Sequence, residues 1–238
     1  MGKLEILATA TLWAMTVQAT RSAAYEAGEV KNGGTIVGVV MLEGMSPPAK
    51  KITTTKDQDV CGNLKTAEDL IVSPDKKIAN AVVSIDAISR GKKIDAASPV
   101  LDQKGCQYVP HVLLVPAGSP VKVLNSDGIL HNIHTYTRKN QPVNIAQPKF
   151  KKEVTVEFAE PENVGVKCDA HEWMSGVIVV MDHPYYAKTD ENGAFALTDV
   201  PPGEYSLKVW HEKLGEKVEK VKVETGKPVR VELKLGAK

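Results

Sequence analysis

The chain has 238 residues, of which 42% are hydrophobic and 25% are charged, so it can form a folded core and is not expected to be disordered as a whole. Lys and Arg together number 30 and Asp and Glu 29, and the resulting net charge of +1 gives no sign of a nucleic-acid-binding protein. The three cysteines are an odd number, so an oxidising compartment would pair two of them and leave one thiol to be explained.

Residues 1–24 are predicted to be a signal peptide. Lys3 gives a basic start, residues 6–19 carry no charge, and the small residues Ser22 and Ala24 suit a cleavage site. The apolar run is too short and too rich in Thr for a membrane span of about 20 residues. The alternative is a buried N-terminal helix, although the segment has no clear amphipathic face. We therefore expect a protein exported to the periplasm or the cell exterior, with no membrane span in the mature chain.

Alternating or continuous apolar runs predict short strands along most of the remaining chain, and no stretch has a sustained helical periodicity. Up to residue 182 these runs cover 34–43, 78–88, 109–116, 121–125, 130–137, 153–158 and 177–181. From His183 onward the strands become rich in Lys and Glu and cover 194–197, 205–210, 218–223 and 229–235. The spacing predicts an all-β fold, with a β-sandwich over 31–182 and a smaller one over 183–238.

The densest group of metal-binding side chains lies between the strands predicted at 153–158 and 177–181. Cys168, His171 and Met174 follow one another with two residues in each gap. A thiolate, an imidazole and a thioether on one short loop can converge on a soft metal ion. Copper that alternates between Cu(I) and Cu(II) suits a trigonal site of two His and one Cys with a weak axial Met. The loop therefore supplies three ligands of a predicted copper site, and the second His must come from another part of the chain.

Residues 125–132 are the expected source of the missing ligand, because a polar turn there leads into a strand that begins with His131. His134 competes with it. Side chains of an extended strand alternate between its two faces, so His131 and His134 point to opposite faces and only one of them can join the loop ligands. We expect His131 to be that ligand.

These segments, with residues 108–120, resemble the cupredoxins, the plastocyanin, pseudoazurin and amicyanin family of type 1 copper proteins. Residues 125–132 resemble the plastocyanin stretch that ends in His-Asn, and residues 168–174 resemble the short ligand loop of amicyanin. The resemblance extends over about 106–182 and implies a Greek-key β-sandwich within the range 31–182. It also implies one type 1 copper ion with the ligands His131, Cys168, His171 and Met174. The long N-terminal part and Glu172 inside the loop depart from the family pattern.

The function that this resemblance implies is single-electron transfer, without enzymatic activity, between redox partners such as cytochromes or other copper proteins. His171 is the predicted electron port, because its loop is expected to be exposed. Zinc seldom takes a thioether ligand, and no catalytic signature accompanies a nucleophilic pairing of Cys168 with His171. Two alternatives stay open: a copper-binding carrier or sensor that uses the same site, and a structural cell-envelope β-protein without a redox role.

Cys61 and Cys106 are predicted to form a disulfide, because an exported protein would pair the cysteines outside the ligand loop. The bridge would close a loop of about 45 residues and stabilise the fold by roughly 3 to 4 kcal/mol. The alternative is that either cysteine serves as an extra metal ligand. His111, His183 and His211 are expected to be surface or hydrogen-bonded residues, with a second-metal role as the alternative. His183 and His211 are also candidates to meet at the junction of the two sandwiches.

The C-terminal part has turn signals at Asn192-Gly193 and at 201–203, with short strands around them. Residues 189–197 and 200–207 resemble the carboxypeptidase regulatory-like, or transthyretin-like, β-sandwich module. That resemblance implies a structural or interaction domain over 183–238. Because residues 34–43 resemble the first strand of the same module, the two sandwiches are candidates to share strands.

Overall fold

The computed structural model describes residues 25–95 and 98–236, so the signal peptide predicted over residues 1–24 lies outside the described residues. The described part of the chain is almost entirely β-structure, and its single helical turn is α1 (Gln58–Cys61). The strands are β1 (Glu26–Ala27), β2 (Gly34–Glu43), β3 (Lys51–Thr53), β4 (Leu64–Thr66), β5 (Val82–Ile85), β6 (Arg90–Gly91), β7 (Val100–Gln103), β8 (Tyr108–Val109), β9 (Val112–Pro116), β10 (Pro120–Asn125), β11 (His131–Tyr136), β12 (Asn144–Gln147), β13 (Glu153–Glu157), β14 (Asn163–Lys167), β15 (Ser175–Met181), β16 (Tyr186–Lys188), β17 (Ala194–Val200), β18 (Gly203–His211), β19 (Gly215–Val223) and β20 (Pro228–Gly236).

The predicted all-β class and sandwich architecture are confirmed. A first sandwich packs a sheet of order β13-β10-β7-β8 against a sheet of order β12-β11-β14-β15-β9. Strand β10 shows how the sequence builds this core, because Val121 and Val123 are buried while Lys122 between them is exposed. Side chains of both sheets meet in one apolar cluster that includes Tyr108 and Ile178.

A second sandwich packs the sheet β17-β2-β20 against the sheet β16-β5-β18-β19. Strand β2 pairs antiparallel with β17 and runs parallel to β20 over nine residue pairs, and β5 pairs with β16 and β18. The apolar core between these sheets includes Ile36, Val83, Leu207 and Leu233.

The predicted division of the chain at residue 183 does not follow these sheets. Strands β2 and β5 lie inside the range 31–182 but belong to the second sandwich, whereas the first sandwich consists of β7 to β15, which lie between β6 and β16 in the chain. The sharing of residues 34–43 was expected from their resemblance to the C-terminal module, whereas that of β5 was not. Local periodicity shows that a segment is a strand but not which distant strand it pairs with. Strands β2 and β20 are parallel and far apart in the chain, so no hairpin turn between them indicates their pairing.

Strand β15 joins the two sandwiches. Ile178 and Val180 face the core of the first sandwich, while Val177 and Val179 contact Val82 of β5 in a separate small apolar cluster. Both faces of β15 are therefore covered, which accounts for its unbroken apolar sequence.

A small hairpin with one helical turn packs against the first sandwich. It consists of residues 51–66, here called the flap, in which β3 pairs antiparallel with β4 and α1 lies between them. Inside the flap, Thr54 donates a hydrogen bond through its hydroxyl to the carbonyl of Gly62, and Gln58 Nε2 donates one to the Thr54 carbonyl at 2.7 Å. Within residues 25–95 and 98–236, no helix has the length and apolar character needed to cross a membrane.

Candidate metal centre

The loop between β14 and β15 carries three of the four predicted ligands. Its ends are held together by the β14–β15 pairing, in which Lys167 lies opposite Ser175. Met174 N–H donates to the His171 carbonyl at 2.9 Å, which curls the loop tightly. Cys168 and Met174 are each 1% exposed and His171 is fully buried. The three side chains therefore enter the protein interior from one short segment.

His131 is the first residue of β11, the strand next to β14. The antiparallel pairing sets His134 opposite Lys167, and this register brings the start of β11 beside the ligand loop. His131 is fully buried, whereas the ring of His134 is about a third exposed and bonds Asp169 on the outer side of the sheet. The predicted alternation of the two histidines is thus present in the structure, and His131 is the one that faces the loop ligands.

The three strongest donor atoms lie close together. Nδ1 of His131 is 3.0 Å from Nδ1 of His171, and Cys168 Sγ is 3.8 Å from each of these nitrogens. The point equidistant from the three atoms lies about 2.1 Å from each, which is close to the bond lengths that imidazole and thiolate ligands make to transition metals. Met174 is buried in the same cluster of side chains as Cys168. This donor set, with one thiolate, two imidazoles and one thioether, fits copper.

A carboxylate bonds the outer nitrogen of each histidine. His131 Nε2 lies 2.9 Å from Asp127 Oδ2, and His171 Nε2 lies 2.9 Å from Asp57 Oδ2. A carboxylate oxygen accepts, so each Nε2 carries the proton and each Nδ1 keeps its lone pair toward Cys168. Such outer carboxylates fix the tautomer and the orientation of metal-binding histidines and make them more basic. Both rings are thereby set for a metal ion at Nδ1.

Asp127 is held rigidly as well as buried. Its Oδ1 accepts from Gly105 N–H at 2.6 Å and its Oδ2 from Cys106 N–H at 2.7 Å, in addition to the bond from His131. Burial lowers the pKa of His131, and the opposing effect of the Asp127 hydrogen bond does not cancel it. The imidazole of His131 is therefore favoured in the neutral form, which is the form that binds metals.

Asp57 reaches His171 from the flap. It precedes α1 with a left-handed backbone conformation, φ 49°, and its main-chain carbonyl accepts from Cys61 N–H at 2.8 Å. The flap thus lies over the imidazole edge that was predicted to be exposed. His171, the predicted electron port, was expected to lie on an exposed loop, and that expectation is wrong, because a segment more than 100 residues away in the chain covers it.

The disulfide between Cys61 and Cys106 is present and anchors the flap beside the ligands. Cys61 ends α1, and Cys106 is the residue whose N–H bonds Asp127. The carbonyl of Cys106 accepts from Trp173 Nε1 at 3.2 Å, so one residue links the flap, the carboxylate of Asp127 and the ligand loop. Cys168 is a free, buried thiol, so the unpaired cysteine of the sequence is the one that was predicted to be a metal ligand.

A second polar network holds the ligand loop to β11. Asn132 Oδ1 accepts from Asp169 N–H at 2.7 Å, and Asn132 Nδ2 donates to Asp169 Oδ2 at 2.9 Å. Tyr108 donates its hydroxyl to the Asn132 carbonyl at 2.6 Å, and burial raises the pKa of this tyrosine. The hydrogen bond from His134 lowers the pKa of Asp169, which keeps the carboxylate charged. The loop that carries Cys168 is therefore fixed at both its backbone and its side chains.

The other histidines lie outside this cluster. His111 is buried and pairs through Nε2 with Glu212. His183 and His211 are buried and accept at Nδ1 from the backbone N–H groups of Tyr185 and Lys213. Each has the hydrogen-bonded role that was expected for it.

Sequence reasoning did not assign roles to Asp57, Asp127 or Asn132. Asp127 lies four residues before His131, a spacing that a search for outer-sphere carboxylates could have used. Asn132 directly follows His131 and belongs to the His-Asn family pattern, which by itself assigns it no role. Asp57 has no local signal, because its contact with His171 joins positions 114 residues apart.

One family model matches a part of this chain. The family model of the carboxypeptidase regulatory-like domain matches residues 166–236, a range that holds the ligand loop, β15 and the strands β16 to β20. No curated protein sequence matches the chain.

Several solved structures are similar to a part of the chain. A copper-containing nitrite reductase (NirK) from Thermus scotoductus SA-01 matches with 19% identity and a TM-score of 0.34, over 41% of this chain and 25% of the reductase chain. A purple cupredoxin from Nitrosopumilus maritimus matches with 20% identity and a TM-score of 0.31, over 35% of this chain and 100% of its own. Amicyanin from Paracoccus versutus matches with 17% identity and a TM-score of 0.32, over 42% of this chain and 97% of its own.

Proposed function

We propose that this chain is an exported type 1 copper protein that carries single electrons between redox proteins. The observation that carries the proposal is the convergence of Nδ1 of His131, Nδ1 of His171 and Sγ of Cys168, at 3.0 to 3.8 Å from one another, in a fully buried position. Copper bound there supplies a one-electron couple between Cu(I) and Cu(II). Cys168 and the two histidines would hold the ion strongly, and Met174 would be its weak fourth ligand.

The surroundings of these residues suit electron transfer, because they hold the ligands in one arrangement. Asp57 and Asp127 fix the two imidazoles, and Asn132 and the β14–β15 pairing fix the loop of Cys168. Ligands that cannot rearrange give both oxidation states nearly the same geometry, which keeps the energetic cost of changing the oxidation state low.

The same closure argues against a copper carrier or sensor. A protein that delivers a metal ion must open its site to a partner, whereas here the flap and its disulfide lie over His171. An electron can pass through packed side chains, whereas a metal ion leaves only when the flap opens. We therefore rank the electron carrier above the copper carrier, and both above a structural protein without a metal.

The test is the visible spectrum of the purified protein after Cu(II) is added. We expect an intense thiolate-to-copper band that a reductant bleaches and an oxidant restores. Cys168→Ser abolishes the band, since it removes the thiolate. His134→Ala is the matched control for His131→Ala, because His134 lies on the other face of the same strand: the first variant keeps the band and the second loses it. No band in the unaltered protein contradicts both copper functions, and slow, irreversible reduction favours the carrier.

Export to the periplasm or the cell exterior, and partners such as cytochromes or other copper proteins, are part of the proposal. The Cys61–Cys106 disulfide supports an oxidising compartment. Fractionation of expressing cells tests the location: recovery of the protein from the periplasm or the medium is expected, and recovery from the reducing cytosol with free thiols at 61 and 106 contradicts it.

A further inference from the structure

An open cavity of about 460 Å³ lies beside the ligand loop, and the mechanism above does not use it. Trp173 and Met174 line it, as do Lys50, Lys51 and Lys65 of the flap and its N-terminal approach. The cavity therefore reaches the ligand loop beside Met174, whose side chain is itself buried.

The histidine edges do not offer such an approach. The Nε2 atom of His131 is closed off by Asp127, whose side chain is itself 7% exposed, and that of His171 by Asp57. Cys168 is buried in the core of the first sandwich. A partner docked over these ligands would face carboxylates and flap backbone rather than a ligand ring.

Trp173 connects the cavity with a ligand. Its indole is half-buried, and its ring meets the ring of His171 edge to face, with centroids 5.0 Å apart and planes at 62°. The hydrogen bond from Nε1 to the Cys106 carbonyl fixes the indole in this position. An aromatic side chain thus leads from the cavity wall to the imidazole of a proposed copper ligand.

The charges around the cavity are unevenly compensated. Asp69 pairs with Lys213 at 2.9 Å and Glu212 pairs with His111, whereas Glu68 accepts only from the neutral amide nitrogen Nε2 of Gln107 at 2.9 Å and keeps its charge.

In contrast, four lysines that line the cavity form no ion pair within the part of the chain that the structure describes; they are Lys50, Lys51, Lys65 and Lys167. Glu68 and the exposed Glu172 also line the cavity, and these two carboxylates reduce, but do not balance, the charge of the four lysines. The positive charge that remains free to meet a partner is therefore in excess here, although the net charge of the whole chain is only +1.

We propose that this cavity is the electron port, and that a one-electron redox protein docks on it with an acidic patch against Lys50, Lys65 and their neighbours. The inference rests on the proposed copper site. With copper held by His131, Cys168 and His171, Trp173 would conduct one electron from the reduced centre of the partner to the site, which would gain the electron that the partner loses. No bond forms or breaks and no proton moves. Electron-transfer complexes are small and weak, which suits a rim of lysines around one aromatic side chain.

The experiment measures the second-order rate constant for oxidation of the Cu(I) protein by two small probes, anionic hexacyanoferrate(III) and cationic tris(phenanthroline)cobalt(III), at low ionic strength. The double variant K50E/K65E is compared with K220E/K222E, which makes the same charge change at exposed lysines of β19 in the second sandwich. We expect K50E/K65E to slow the anionic probe at least tenfold and K220E/K222E to slow it less than twofold, because local charge steers the encounter. Added salt removes the difference.

Trp173→Leu tests the path. We expect it to slow both probes at least fivefold while the copper–thiolate band is retained, whereas Trp210→Leu, the same substitution at the junction of the sandwiches, changes neither rate more than twofold. Equal effects of the two lysine pairs, or an unchanged rate in Trp173→Leu, overturn the port but leave the copper site intact. Absence of the band in the unaltered protein overturns the proposed function itself, and the port with it.

Discussion

Asp57 Oδ2 lies 2.9 Å from His171 Nε2, and this bond joins the flap to the ligand loop. His171 is fully buried as a result, while the carboxylate of Asp57 remains about a third exposed. The pair therefore places a negative charge at the rim of the proposed copper site and keeps water from the imidazole. The predicted ligands determine which metal the proposed site would bind. Contacts such as this one determine how tightly the metal would be bound and whether solvent can reach it.

Asp57→Asn removes the charge and keeps a side chain of the same size. We expect the affinity for Cu(II) to fall about tenfold, because the outer partner of a ligand histidine raises its basicity. Cu(I) depends less on this charge, so the reduction potential rises, by up to about 60 mV if only Cu(II) is affected. Copper titration and redox potentiometry measure both effects. Asp59→Asn, at an exposed carboxylate of α1, is the matched control, and an equal shift in that variant would contradict a specific role of Asp57.

We expect Asp127→Asn to lower the stability of the folded protein as well as its affinity for copper. Asp127 accepts from two backbone N–H groups and from His131 in a nearly buried position, and the amide of Asn offers one acceptor oxygen in place of two. We expect the free energy of unfolding of the metal-free protein to fall by about 1 to 3 kcal/mol. Urea unfolding measures it. An unchanged unfolding midpoint would show that the two N–H groups find other partners.

Replacing Cys61 and Cys106 by Ala together tests the anchor of the flap. The chain-entropy model predicts a loss of about 3 to 4 kcal/mol for a loop of this length. Because the flap also covers His171, we expect loss of bound copper to a chelator to become at least tenfold faster. The double variant is compared with the unaltered protein in two states, with the Cys61–Cys106 disulfide intact and with it reduced. Equal copper release in all three would mean that the flap stays closed without the bridge.

The pair of His111 and Glu212 predicts a pH dependence of stability. Burial lowers the pKa of His111, but the hydrogen bond and charge of Glu212 outweigh it and raise the pKa above its usual value. The protonated imidazole therefore stabilises the fold fully below the ordinary pKa of about 6.5, and this contribution is lost as the pH rises through the raised pKa. Glu68, Asp69 and His211 also act on this histidine.

Glu212→Gln removes the charge that raises the pKa. We expect it to lower the free energy of unfolding by about 1 to 3 kcal/mol at pH 6 and by less at pH 9. Urea unfolding of both proteins at the two pH values gives the difference directly. A loss of equal size at pH 6 and pH 9 would contradict the assignment of the pH dependence to His111.

Several features of the molecule follow from local patterns of its sequence. Strand β2 runs over Gly34–Glu43 as predicted, and alternation alone separates His131 from His134, because successive side chains of a strand point to opposite faces. The spacing of Cys168, His171 and Met174 is short enough for one loop to bring them together. The all-β class and the ligand cluster therefore need no more than these local patterns to be predicted.

Short elements and distant contacts do not follow from such patterns. The helical turn α1 has only four residues, too few for a helical periodicity, β14 was not predicted, and the strand predicted over 78–88 is confined to Val82–Ile85.

By itself, the sequence indicated which side chains would form the proposed metal site, since their order and spacing act within one loop and one strand. Only the tertiary structure decided that β2 and β5 join the second sandwich and that Asp57 closes His171 across 114 residues. These pairings depend on which surfaces fit once the chain has folded, and no local pattern carries that information.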